Sequence, residues 1–216
     1  MDFSSARGRM VTNQIRTNHV TDPLVVAAIS GLPREEFVPG ACRGIAYMDA
    51  DLDLGAGRHL MEPMVFARLL QIAAIQPGDV VLDIGCATGY SAGVLARMAG
   101  TVLAVECDPR LAEAATEALN ALSIDNAAVM VGPLAEGYPA QAPYDVIVFE
   151  GSVPRIPDRI RDQLAEGGRL VAVVRDGGVG EATLITRVGG VFGHRTAFEA
   201  SVGKLPGFER DAGFVF

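Results

Sequence analysis

From Pro63 to Val174, stretches with helical apolar spacing alternate with short runs of β-branched residues, and this alternation constrains the fold more than any other feature. Pro63 to Ala74 has helical spacing, and Gln76-Pro77-Gly78-Asp79 is a turn. Val80-Val81-Leu82-Asp83-Ile84 reads as a buried strand, followed by glycines and an apolar helix through Ala99. Thr101 to Glu106 is a second strand. Leu111, Ala114, Ala115, Ala118, Leu119 and Leu122 then place one apolar stripe on a helix. Ala127–Val131, Asp145–Phe149 and Arg169–Val174 supply three further strands, with a short helix over Asp158–Leu164 that stops at Gly167-Gly168. The tail, Glu181 to Phe216, reads as strands. Residues 1–40 read as helical, with Asp22-Pro23 as a cap and first-turn pair, whereas 41–62 show no clear period. The expected class is α/β: a Rossmann-like, doubly wound, mostly parallel sheet with helices on both faces, an antiparallel C-terminal edge and a helical N-terminal extension.

Composition narrows the partners. With 18 basic against 26 acidic residues the net charge is −8, which argues against a nucleic-acid backbone. The amino terminus lacks the apolar run of a secretion signal, and no window approaches a membrane span. Cys42, Cys86 and Cys107 are odd in number and widely spaced, so a reduced, cytoplasmic setting is expected. His19 and His194 have no companions at metal-ligand spacing, so no metal is expected.

Val81-Leu82-Asp83-Ile84-Gly85-Cys86-Ala87-Thr88-Gly89-Tyr90 leaves a strand, turns on glycines and enters a helix, where doubly wound sheets bind ligands. A dinucleotide fingerprint would need glycines where Ala87 and Tyr90 stand, which disfavours a nicotinamide oxidoreductase. Asp83-x-Gly85-x-x-x-Gly89 suits a cofactor with a sulfonium and an amino-acid end; a tight turn in any α/β protein is the plain alternative. Glu106, closing the second strand, is placed to accept two hydrogen bonds from ribose hydroxyls, the alternative being a capping or surface acid. Asp108-Pro109 reads as the start of the next helix.

Taken with Met10-Val11-Thr12-Asn13-Gln14-Ile15-Arg16, Leu32-Pro33-Arg34-Glu35-Glu36-Phe37-Val38-Pro39, Ala46-Tyr47-Met48-Asp49, Ala142-Pro143-Tyr144-Asp145 and Leu164-Ala165-Glu166-Gly167-Gly168-Arg169-Leu170, these motifs make the chain resemble the protein-L-isoaspartate O-methyltransferase family over nearly its whole length. The resemblance implies S-adenosylmethionine as cofactor and damaged, isoaspartyl-containing proteins or peptides as acceptors. It implies one domain, with 1–62 as N-terminal helices and substrate loop and 63–216 as the core. The cofactor would meet Asp83, Gly85, Cys86, Ala87, Gly89, Glu106, Cys107, Pro133, Leu134 and Glu150.

The chain also departs from the family pattern. The loop that reads Gly-x-Thr-Ile-Ser-x-Pro in the family is Gly57-Arg58-His59-Leu60-Met61-Glu62-Pro63 here, with Met61 in the serine's place and His59 in the threonine's. Prolines before it become Asp51 and Asp53. Gly-Asp-Gly after the third strand becomes Gly132-Pro133-Leu134, and small residues after the fourth become Phe149-Glu150-Gly151-Ser152. His59 and Met61 are therefore the candidate catalytic positions, His59 either as a base for a neutral acceptor or as a hydrogen-bonded loop histidine. Asp51, Asp53 and Glu62 are expected to repel an anionic acceptor. Three readings stay open: the isoaspartyl enzyme, a same-fold methyltransferase for another acceptor such as a small molecule, and a binding protein without turnover. Oligomeric state is not indicated. Arg34-Glu35-Glu36 reads as a solvated, paired stretch, and Cys86 and Cys107 as packing residues.

Overall fold

The computed structural model describes residues 2–209. Two helices open the chain, α1 (Phe3–Met10) and α2 (Pro23–Gly31), joined by a π turn over Val11–Ile15 and a 3-10 turn over Arg16–Asn18. Asp22 caps α2 by accepting from Leu24 N at 2.8 Å, with Pro23 at the first helical position. A hairpin of β1 (Leu52–Gly55) and β2 (Arg58–Leu60) precedes α3 (Pro63–Ala73). Then come β3 (Val80–Ile84), α4 (Tyr90–Ala96), β4 (Thr101–Glu106), α5 (Pro109–Ala121) and β5 (Ala127–Val131). After them run β6 (Tyr144–Val153), α6 (Asp158–Arg161), β7 (Leu164–Val174), β8 (Gly180–Val188) and β9 (Val191–Ala200).

The large sheet has the order β5-β4-β3-β6-β7-β8-β9. Its first five strands are parallel, and β8 and β9 close the edge antiparallel. This is the expected Rossmann-like architecture. The chain steps outward from β3 to β5 and then returns to the other side of β3, so the order reverses between β3 and β6. The crevice beyond their carboxyl ends is where such folds hold ligands.

Strict alternation along the strands fills the two faces of the sheet. Val81, Val102, Ala104, Val146, Val148, Val171 and Val173 share one parity and point to the face covered by α1 to α5. Leu82, Ile84, Val105, Ile147, Phe149, Leu170 and Ala172 have the other parity. They point to a second cluster with Leu134, Ile160, Leu205 and Phe208. The first face carries most of the helices, and α6 and short turns cover the second. Met10, Ile15, Val25, Ile29 and Leu32 belong to the same apolar cluster as α3, which ties the N-terminal helices to the sheet.

Several boundaries differ from the sequence expectation. The helix after β3 stops at Ala96 rather than Ala99, because the Asn126 amide takes the carbonyls of Ala96 at 2.9 Å and Ala99 at 3.3 Å. The helix expected over Asp158–Leu164 ends at Arg161. Gln163 turns inward there to bond Tyr138 N and Glu136 O. β7 begins at Leu164, ahead of Gly167-Gly168; the register jumps from Tyr144↔Leu164 to Val146↔Arg169, so those glycines lie in a bulge. Residues 41–62 contain most of a 3-10 turn (Gly40–Ile45) and the β1–β2 hairpin. Of the tail, β8 and β9 are strands joined through Gly189 and Gly190, both at positive φ. Residues 201–209 are a strap rather than a strand, apart from one bridge between Lys204 and Ser152, and 210–216 lie outside the described residues.

Arg34 and Glu35, expected on a solvated stretch, are buried. The Arg34 guanidinium donates to Ala46 O at 2.7 Å and Met61 O at 2.8 Å and lies over the Tyr90 ring, and Glu35 bonds the Tyr47 hydroxyl. Gly89 owes its identity to packing: at φ +90° its Cβ would stand 2.9 Å from Ala115 Cβ on α5. Gly89→Ala is expected to lower unfolding stability by about 2–4 kcal/mol through strain and overpacking. Gly78→Ala, facing open space, serves as the control in the same chemical denaturation series. A loss below about 1 kcal/mol would show that α4 can shift away from α5 without cost.

Candidate active site

Three strand ends converge at the switch point. β3 delivers Asp83, whose carboxylate accepts from Ser91 Oγ at 2.7 Å and is fully buried. The turn after β3 passes through Gly85 at φ +86°, Ala87 at +49° and Gly89 at +90°. Gly85 N–H donates to Val105 O at 2.8 Å, which pins the turn to β4. β4 ends in Glu106, also fully buried. Its carboxylate accepts from Ala87 N at 2.8 Å, Cys107 N at 2.8 Å and Asp108 N at 3.1 Å. Glu106 thus joins the glycine turn to the start of α5, which Asp108 caps through Arg110 N. β6 runs on to Val153 and brings Glu150 to the same region, with Oε1 buried and unpartnered among the described residues.

The hairpin supplies the cation. Its turn, Gly55-Ala56-Gly57, takes three successive positive φ values, and Asp53 Oδ1 accepts from Gly55 N at 2.8 Å. Alternation along β2 turns Arg58 and Leu60 inward. Arg58, only 2% exposed, donates from Nε and Nη2 to both oxygens of Glu106 at 3.0–3.3 Å and from Nη2 to Gly85 O at 2.6 Å. A Cβ on Gly85 would meet Leu205 Cδ2 at 2.7 Å, Arg58 Nη2 at 2.9 Å and Leu134 Cδ1 at 3.6 Å. The small space beside Arg58, bounded by His59, Met61, Glu150 and Gly203, has no room for a water molecule.

These contacts set the ionisation of the site. Burial pushes Asp83 up to about 7, opposed by its Ser91 hydrogen bond and aided by the Glu106 charge. Burial also raises Glu106, but the Arg58 hydrogen bond and charge outweigh it and hold this carboxyl below its usual value. Glu150 goes well up by burial and by the Asp83 charge. Burial raises the Cys86 thiol, and burial with the neighbouring Glu106 charge raises Cys107 to about 11, so neither is a ready thiolate.

The sequence-expected cofactor residues fall into two groups. Asp83, Gly85, Cys86, Ala87, Glu106 and Cys107 come together at the turn between β3 and β4, and Leu134 reaches Gly85 from the 3-10 turn that Pro133 begins. Glu150 faces them from β6, whereas Gly89 faces α5. Met61 is 3% exposed within the large apolar cluster, and the His59 ring lies against Gly203 with Nδ1 buried and unpartnered among the described residues. Asp51 is tied to backbone, accepting from Glu62 N at 2.8 Å and Gly203 N at 2.6 Å. Sequence reasoning did not single out Arg58 or Leu205. The signal for a cation was present: three acids at three strand ends need a buried counter-charge.

A family model described as protein-L-isoaspartate(D-aspartate) O-methyltransferase matches residues 5–196. The chain belongs to that family. A protein-L-isoaspartate O-methyltransferase 1 from Rhodopseudomonas palustris (strain HaA2) is 42% identical over 172 residues, covering 80% of this chain and 70% of the relative. One from Methylorubrum extorquens (strain PA1) is 38% identical over 188 residues, covering 87% and 82%. Among solved structures, a protein-L-isoaspartate O-methyltransferase superposes with TM-score 0.81 at 24% identity, covering 94% of this chain and 67% of its own. A Plasmodium falciparum candidate of the same name, in complex with S-adenosyl-L-homocysteine, gives TM-score 0.80 at 19% identity, covering 93% and 98%. At these identities the two structures bear on the fold alone.

The family's cofactor chemistry is matched in residue types, by a glycine turn and an acid one strand over. It is not matched in space, because Arg58, Leu205 and Leu134 fill the volume in front of Gly85. In this conformation the Glu106 carboxylate and the Gly85 carbonyl are held by Arg58, so neither is free to meet an adenosyl group. Among the described residues, no three His, Cys, Asp or Glu side chains form a metal-ligating group, and no helix is long and apolar enough to cross a membrane.

Glu62, at the start of α3, has its carboxyl raised to about 7 by burial and by the charges of Asp49 and Asp51. Its folded-state value lies above the unfolded one, so its contribution is present below pH 4.5 and is lost as pH rises through about 7. Glu62→Gln is therefore expected to leave unfolding stability nearly unchanged in acid, and to raise it at about pH 8 by no more than about 1 kcal/mol after solvent screening. Denaturant titration of both proteins in the two buffers checks this. Equal effects of the substitution in both would remove Glu62 from the pH dependence.

Proposed function

We propose that this protein is an S-adenosylmethionine-dependent methyltransferase acting on carboxylates of isoaspartyl-containing proteins or peptides. The observation that carries the reading is the buried Glu106 at the end of β4, hydrogen-bonded to Ala87 N across the glycine turn at the order reversal of the sheet. Membership of the family supports the acceptor class. S-adenosylmethionine supplies an electrophilic methyl group. On this reading Glu106 holds the ribose hydroxyls, Gly85 gives the close backbone approach, and a cationic ligand would favour the ionised forms of Asp83 and Glu150 that burial opposes. A carboxylate acceptor is ionised at neutral pH and needs no base, so alignment is the protein's main contribution.

One observation favours a second reading, a different acceptor on the same frame. Met61, at the place of the family's loop serine, is packed into the apolar core and presents no hydroxyl. Transfer of labelled methyl to an isoaspartyl peptide and to its normal aspartyl counterpart separates the two. Label is expected on the isoaspartyl peptide at no less than about tenfold over the aspartyl one, a difference of about 1.4 kcal/mol. Cofactor binding without transfer to either peptide would favour the second reading.

A further inference from the structure

The two groups that the fold presents to a ligand, the Glu106 carboxylate and the backbone of Gly85, are both already bound by the chain itself. Arg58 reaches them together, with its Nη2 shared between Glu106 Oε2 at 3.0 Å and Gly85 O at 2.6 Å. Leu205 closes the remaining space. These side chains come from separate segments that fasten to each other. Gly203 N donates to Asp51 at the foot of the hairpin, and the His59 ring lies against Gly203. Gly203 O and Leu205 N then bond Ser152 at the end of β6 at 2.8 and 2.9 Å.

Both segments have the features of parts that can leave. The hairpin is two strands of four and three residues with a register break, paired only to each other and held to the core through Leu52 and Leu60. The strap follows β9 and lies beyond the stretch matched by the family model, residues 5–196. Arg58 also balances charge. Glu106 bonds it directly, and the Arg58 charge favours the ionised forms of Asp83 and Glu150, which burial opposes. A cationic ligand on the same acids would replace that charge as the guanidinium withdrew.

We propose that the β1–β2 hairpin and the 201–208 strap form a built-in plug that keeps the protein closed to its cofactor. The Arg58 guanidinium stands on Glu106 in place of a ribose diol. Arg58 and Leu205 leave together when a nucleoside-type ligand enters. This inference rests on the methyltransferase reading, because it needs an adenosyl ligand for which the plug substitutes.

The test is calorimetric titration of the full chain with S-adenosylhomocysteine, for the parent, Arg58→Ala and Leu205→Ala. If the open form is about 1–10% populated, removing the plug tightens apparent affinity by roughly ten- to a hundredfold. Arg58→Ala is expected to show that gain and Leu205→Ala a smaller gain of the same sign. In the parent, amide hydrogen exchange at residues 58–60 and 203–205 should speed up on ligand saturation. Should Arg58→Ala fail to fold, Leu205→Ala and the exchange experiment decide. Affinity unchanged or weakened in the folded variants, or protection of the strap on binding, overturns the plug and leaves the methyltransferase reading standing. No binding by any of the three proteins at millimolar ligand overturns both.

Discussion

A carboxylate removed from water must be surrounded by donors, and Glu106 draws its donors from three separate parts of the chain. Ala87 N belongs to the turn after β3, Cys107 N and Asp108 N to the approach to α5, and Arg58 to the hairpin. Each contact satisfies a buried charge that would otherwise cost several kcal/mol. The carboxylate therefore does more than mark the end of β4. It sets where the glycine turn sits relative to α5, and it draws the hairpin across the sheet's open end.

The strap depends on the same arrangement. Asp51 can hold Gly203 only because the hairpin has been brought over the crevice, and Gly203 in turn leads Leu205 onto Gly85. Gly151 permits this approach: a Cβ there would stand 2.8 Å from Gly203 O. The small residue near the end of β6 thus makes room for the chain's own backbone. Asp51 and Asp53, which the sequence suggests as repelling charges, also accept from backbone N–H groups, and the Asp51 charge still reaches Glu62.

The core strands β3, β4 and β5 were legible because their signals are local: β-branched runs bounded by glycine, proline or acidic residues. The end of β6 was not. Glu150, Gly151 and Ser152 look like a loop, and their pairing depends on β7 and on a strap far along the chain. Arg34 misled for the same reason, since its burial is stabilised by the carbonyls of Ala46 and Met61, which no local pattern reveals. In the site, Gly85 and Glu106 stand where the strand–turn–helix pattern puts them. Gly89 also stands there, packed against Ala115 on α5. The missing element was Arg58, whose partner lies 48 residues away.

Arginine at position 58 is chemically specific. Its planar guanidinium donates in several directions at once, and here it meets two carboxylate oxygens and a carbonyl. A lysine would present a compact, strongly hydrated charge that loses more on burial and spans fewer acceptors. The same fork resembles a ribose diol in one respect: both offer paired donors to one carboxylate. A site built to accept paired donors on Glu106 is for that reason open to capture by a neighbouring arginine. The hairpin holds such an arginine within reach, so closure follows from the chemistry that would bind the ligand.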